Sequence, residues 1–327
     1  MAREYSSVAV QIGAEATKGV AVPADKQLMG LRLDADPNGE FVTHRPSGFW
    51  VPTQSSQVTE LTEGDAEGPM DFNSLAYPLS SVFGKTAPTV GEDGEVTWVW
   101  DVAGHGSVDP QSYTIEVGDE QGANRFDYAV FTGLDFDIAR TGENTFSSAV
   151  IGRALDNAAT MTASPDQIDI VPINGNMWDV YADGSHTTLG DSKLLNLYDA
   201  GISFGDMYEQ DWTINSDNQS FNSLFLAEEP SFEWSMTLGV DAIANAYLTQ
   251  ARSGGKRFFR IEAVGPQIAG STENYRLTID FCAIITDIDS FQSADGRYAL
   301  PVSFSLAYDS AWGQAMQITV VNGMETL

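Results

Sequence analysis

The feature that most restricts this chain is the brevity of its apolar runs. They are short, rich in β-branched and aromatic residues, and punctuated by glycine, proline, asparagine and aspartate. Val96-Thr97-Trp98-Val99-Trp100 alternates with the period of two that gives a strand two unlike faces. Strands are expected over 28–33, 96–100, 113–117, 126–138, 145–151, 193–204, 211–215, 223–226, 231–238, 257–264, 275–289, 299–307 and 314–321. Two short helices are expected. One runs over 71–83, with Asp71 as N-cap, Gly84 as stop and Pro78 as a source of kinking. The other runs over 241–251 and ends at Ser253-Gly254-Gly255. The expected class is mainly β.

The two halves of the chain resemble each other. Asp71-x5-Tyr77 matches Asp241-x5-Tyr247, and Thr114-Ile115-Glu116-Val117 matches Arg260-Ile261-Glu262-Ala263. The run from Ala129 to Asp135 matches the run from Ala283 to Asp289. These matches come in the same order at unequal offsets, as loop insertions would produce, although β-rich segments also share a small alphabet. The expected organisation is an extended arm over 1–25, a first domain over 26–157, a polar linker over 158–192 and a second domain over 193–327. Each half reads as strands, a long loop, one short helix and then further strands. Residues 36–70 read as a long loop carrying Pro37, Pro46, Pro52 and Pro69.

Charge and chemistry narrow the function classes. The 327 residues carry 46 acidic and 16 basic side chains, a formal charge of −30. Such a surface is a poor receptor for nucleic acid or anionic membranes. No stretch approaches the ~20 apolar residues of a membrane helix, and no apolar signal core opens the chain, so cytoplasmic maturation is expected. Cys282, the only cysteine, sits in an apolar run and reads as a small buried residue. His44, His105 and His186 stand alone, without zinc-site spacing. The hydrolase elbow, the P-loop and the dinucleotide fingerprint are absent. The expectation is therefore no enzyme activity, no cofactor and no metal. The pairs Asp135/Asp137 and Asp287/Asp289 each project two carboxylates to one side of a strand. That is either an ordinary solvated face or an acidic wall; calcium could also use the spacing, but the rest of a calcium loop is missing.

Gly13-Ala14-Glu15-Ala16-Thr17-Lys18-Gly19-Val20-Ala21-Val22-Pro23 resembles the N-terminal arm of siphophage major tail (tail tube) proteins, especially those of phages of actinobacteria. Arg45-Pro46-Ser47-Gly48, Glu63-Gly64-Asp65-Ala66-Glu67-Gly68 and Leu300-Pro301-Val302-Ser303-Phe304 resemble that family too. The resemblance implies a mainly β chain of two tandem antiparallel β-sandwich or barrel-forming tail-tube domains, each with one short flanking helix. It also implies a virion protein of a long non-contractile tail, assembled in the host cytoplasm. Its subunits would form stacked rings whose inner sheets line a channel for DNA, held without specific binding. A chain with two tube domains would form a trimeric pseudo-hexamer, with a hexamer as the alternative. The tape measure, tail terminator and distal tail proteins are the partners the family implies. On this reading Asp135, Asp137, Asp287 and Asp289 face the channel. Thr17, Lys18, Val22, Pro23, Glu63, Asp65 and Glu67 carry ring-to-ring contacts. Two alternatives stay open: another β-rich filament or baseplate protein, and a calcium-dependent carbohydrate-binding sandwich.

Overall fold

The computed structural model describes residues 8–119, 121–205, 207–214, 219–240, 254–294 and 296–327. The first half contains β1 (Ala9–Ala14), β2 (Lys26–Leu28), β3 (Arg32–Asn38), β4 (Phe41–His44), β5 (Gln54–Gln57) and β6 (Leu61–Pro69). It continues with the helix α1 (Ala76–Val82), then β7 (Thr89–Val90), β8 (Val96–Val102), β9 (Tyr113–Asp119), β10 (Gly122–Phe131), β11 (Leu134–Ala139), β12 (Thr145–Gly152) and β13 (Asp156–Ala159). Next come β14 (Asp166–Ile168), β15 (Trp178–Asp183), β16 (Leu197–Gly205), β17 (Tyr208–Asp211), β18 (Ser223–Leu226) and β19 (Ser231–Gly239). The last stretch is β20 (Lys256–Gln267), β21 (Asn274–Ile288), β22 (Gln292–Ala294), β23 (Arg297–Leu306) and β24 (Met316–Asn322). The fold is mainly β, and among the described residues its ladders are antiparallel except for β14 on β2.

One strand order occurs twice. In the first unit β1-β9-β10-β13 forms one sheet and β3-β6-β12-β11 the other. In the second unit β15-β20-β21-β24 corresponds to the former and β16-β19-β23-β21 to the latter. The long β21 serves both sheets, whereas the first unit breaks the equivalent path between β10 and β11. The register slips by one residue just after Phe131↔Val150 in the first unit and just after Ile285↔Phe304 in the second. The matched sequence segments therefore occupy equivalent strands. The second expected helix, over 241–251, lies outside the described residues.

Three expected boundaries need correction. Residues 1–25 are not an arm throughout: β1 pairs along its length with β9 and buries Val10 and Ile12. Residues 158–192 are not only a linker: they hold β14 and β15, the latter filling in the second unit the place of β1 in the first. Residues 36–70 are not one loop, since β4, β5 and β6 lie within them. In each case short strands flanked by glycine and proline carry too little apolar length to stand out locally.

The units are joined by backbone. β11 pairs with β16 along its whole length, so β3-β6-β12-β11-β16-β19-β23-β21 runs as one eight-stranded sheet. β8 leaves the first half to pair with β24. The inward side of this frame holds the core. In the second unit Trp234, Phe259, Phe281 and Phe304 pack with ring centroids 5.0–6.1 Å apart. Such aromatic pairs contribute about 0.5–1.5 kcal/mol each beyond their buried area. In the first unit α1 is buried on all sides, and Tyr113 Oη donates to Tyr77 O at 2.9 Å.

Candidate functional site

The eight-stranded sheet has one buried face and one open face, and the open face is acidic. Period-two alternation dictates this strand by strand. In β11, Leu134, Phe136 and Ile138 are buried while Asp135 and Asp137 are exposed. In β6, Glu63, Asp65 and Glu67 are exposed around small inward residues, Gly64, Ala66 and Gly68. Glycine is required at Gly64, where a Cβ would stand 2.4 Å from Asp34 O on the neighbouring strand.

Register joins these residues into one surface. Arg32 lies opposite Glu67, Asp34 opposite Asp65, and Asp36 opposite Glu63. Glu67 is opposite Ser147, which is opposite Asp135, which is opposite Ser203, which is opposite Glu233. Asp137 leads through Gly201 and Ser235 to Ser303 and Asp287. Asp199 extends the same face. Asp289 follows the end of β21 and donates its N–H to Pro301 O at 3.2 Å. Between the carboxylates lie serine, threonine, glycine and alanine. Among the described residues of that ladder ten carboxylates share a face with two cations, Arg32 on β3 and Arg297 at the start of β23.

The sheet retains this arrangement at an energetic cost. Like charges directly opposite each other destabilise a strand pair by a few tenths of a kcal/mol to about 1. Neighbouring strands stand about 4.8 Å apart, so these carboxylates repel within one Debye length, about 10 Å at 0.1 M salt. Ion pairs among the described residues are found elsewhere, at Lys18–Asp109, Lys26–Asp166, Arg125–Asp156, Lys193–Asp179, Lys256–Asp309 and Arg260–Asp280, and between Arg276 and both Glu262 and Glu273.

The sequence-predicted residues fall into two groups. Asp135, Asp137 and Asp287 share the acidic face, and Asp289 continues its row. Glu63, Asp65 and Glu67, expected with the N-terminal arm, lie on this same face. Thr17, Lys18, Val22 and Pro23 sit together on the first unit, away from these ladders. There Lys18 Nζ meets Asp109 Oδ1 at 2.6 Å, and Val22 N–H donates to Thr114 Oγ1 at 3.0 Å. The buried Glu15 carboxylate anchors this stretch. It accepts Gly19 N–H, Ser112 Oγ–H, Thr114 Oγ1–H and Tyr128 N–H at 2.7–3.1 Å. The acids missed by local reading are Asp34, Asp36, Asp199 and Glu233. The Asp-x-Asp signal in Asp34-Ala35-Asp36 was available, but Pro37 hid the strand.

Among the described residues no group of three or more histidine, cysteine, aspartate or glutamate side chains is gathered for a metal ion. His105 stacks edge-on against Tyr308, and His186 packs against Phe258. Cys282 is fully buried, and burial pushes its thiol up to about 11. No described helix is long and apolar enough to cross a membrane. No protein-family model matches the chain, and no curated protein matches it either.

Proposed function

We propose that this chain is a structural subunit of a long, non-contractile phage tail tube, self-assembling into rings whose acidic lumen conducts DNA. The observation that carries this reading is the open sheet face, acidic across both units and joined by the β11–β16 seam. A carboxylate-lined wall repels phosphate, so DNA passes without sticking.

The seam supplies a rule for assembly. β16 is to the second unit what β3 is to the first, and β11 corresponds to the far end of β21. Among the described residues the only ladder of β3 is with β6, and the end of β21 pairs with β23. Repeating the β11–β16 junction between copies sets the end of β21 against β3 of the next chain. That head-to-tail contact closes a ring when the rotation closes, and it satisfies strand edges that otherwise invite aggregation. Three chains of two units would make six quasi-equivalent positions. The resemblance in the arm and in β23 adds the family; tape measure, terminator and distal tail proteins would be its partners.

Electron microscopy of the purified protein tests the reading: tubes of uniform bore with three-fold averages are expected. Discrete closed particles, or a monomer at every concentration, would overturn it. Replacing Asp135 and Asp289 with lysine should leave tubes intact and slow DNA delivery; unchanged infectivity counts against the acidic lumen.

A further inference from the structure

The repeated architecture inserts a four-residue-per-strand hairpin at the same place in each unit, and the two hairpins have opposite surroundings. β17–β18 bridges β16 and β19, as β4–β5 bridges β3 and β6. β17–β18 lies on the first unit, across the β11–β16 seam. Tyr208 Oη donates to Ser81 O and Val82 O at 2.9 Å, and Arg153 Nη2 donates to Asn222 O at 3.0 Å. Glu60 N–H donates to Gln219 O at 3.0 Å, and buried Phe221 packs on Tyr128 with centroids 5.3 Å apart. β4–β5 is exposed almost throughout, with Phe49 56% and Trp50 88% exposed at its tip. Two adjacent aromatics held in water are a signature of an absent partner.

Equivalence says where that partner surface is. By the register of the ladders, Glu60 and Arg153, where Gln219 and Asn222 of that hairpin rest, correspond to Pro230 and Ala307 in the second unit. Pro230, Leu306 and Tyr308 line a groove of about 690 Å³. Its apolar wall includes Phe232 and Ala315, and its charged lining is Asp101, Glu228, Lys85 and Asp109, the last paired with Lys18. Charge fits as well. Residues 41–59 contain no acid and one arginine, Arg45, in a chain of formal charge −30. This stretch can approach an acidic copy of the same chain without repulsion.

We infer that the β4–β5 hairpin docks on the second unit of a neighbouring copy, seating Phe49 and Trp50 at the groove beside Leu306 and Tyr308. This rests on the head-to-tail assembly proposed above and adds a lateral clasp to it. The clasp would work in the place that β17–β18 takes within one chain.

The test uses the full chain. Phe49→Ser with Trp50→Ser removes only exposed side chains, so the fold persists, checked by an unchanged melting curve. Sedimentation should show association about tenfold weaker or more, as loss of an aromatic anchor predicts. On a Cys282→Ala background, Trp50→Cys with Tyr308→Cys should give disulfide-linked ladders between copies under mild oxidation. Assembly like the wild type in the serine variant overturns the clasp and leaves the tube intact. Weakened assembly without a 50–308 cross-link moves the hairpin elsewhere and overturns the site. A wild-type chain that never associates overturns clasp and tube together.

Discussion

Asp71 shows how one residue serves both fold and pH response. Its Oδ1 accepts Asn73 N–H and Ser74 N–H at 2.8 and 2.9 Å, capping the turn that leads into α1 rather than the helix itself. Burial raises its carboxyl above the ordinary 3.8, outweighing these hydrogen bonds. The folded state therefore holds the proton more tightly than the unfolded state does. Its contribution to stability is greatest below pH 3.8 and is lost as pH rises through the raised folded value. Asp71→Asn keeps the accepting oxygen and removes the buried charge. Its stability relative to wild type should therefore increase between pH 3 and pH 7 in urea titrations. A difference that stays constant would show that Asp71 does not ionise differently on folding.

Strands fix the face of a residue, and small inward residues fix how closely strands approach. β6 sits between β3 and β12, and Gly64 is in the middle of both ladders. A Cβ there would collide with Asp34 O. Gly64→Ala should splay β3 from β6 and destabilise the chain by about 1–3 kcal/mol, the usual cost of overpacking. Ser147→Ala, an exposed change on the adjacent strand, should stay within about 0.5 kcal/mol. Urea midpoints measure both; equal effects would mean that the β3–β6 edge is loosely held.

At the scale of the whole molecule the dominant quantity is charge. A chain of formal charge −30 that packs against copies of itself must overcome long-range repulsion. Raising salt from about 0.1 M to 1 M shortens the Debye length from about 10 Å to 3 Å. Self-association should therefore strengthen with salt in sedimentation velocity runs. Association that weakens with salt would point to interfaces built on ion pairs, contrary to the apolar and backbone contacts proposed here.

The sequence by itself determined the strand class, the repeat and the side of each strand to which a carboxylate points. Those are local properties: a two-residue period places Asp135 and Asp137 together wherever β11 goes. The match of 129–135 with 283–289 likewise marked equivalent strands before any pairing was visible. Tertiary structure decided the partners. Backbone hydrogen-bonding groups are alike in every strand, so nothing local tells β8 to join β24, or β11 to join β16. Nor does anything local bring Glu63, Asp65 and Glu67 alongside Asp135. Only the ladders turned scattered acids into one face, and only they showed that one hairpin has found its surface while its counterpart stands open.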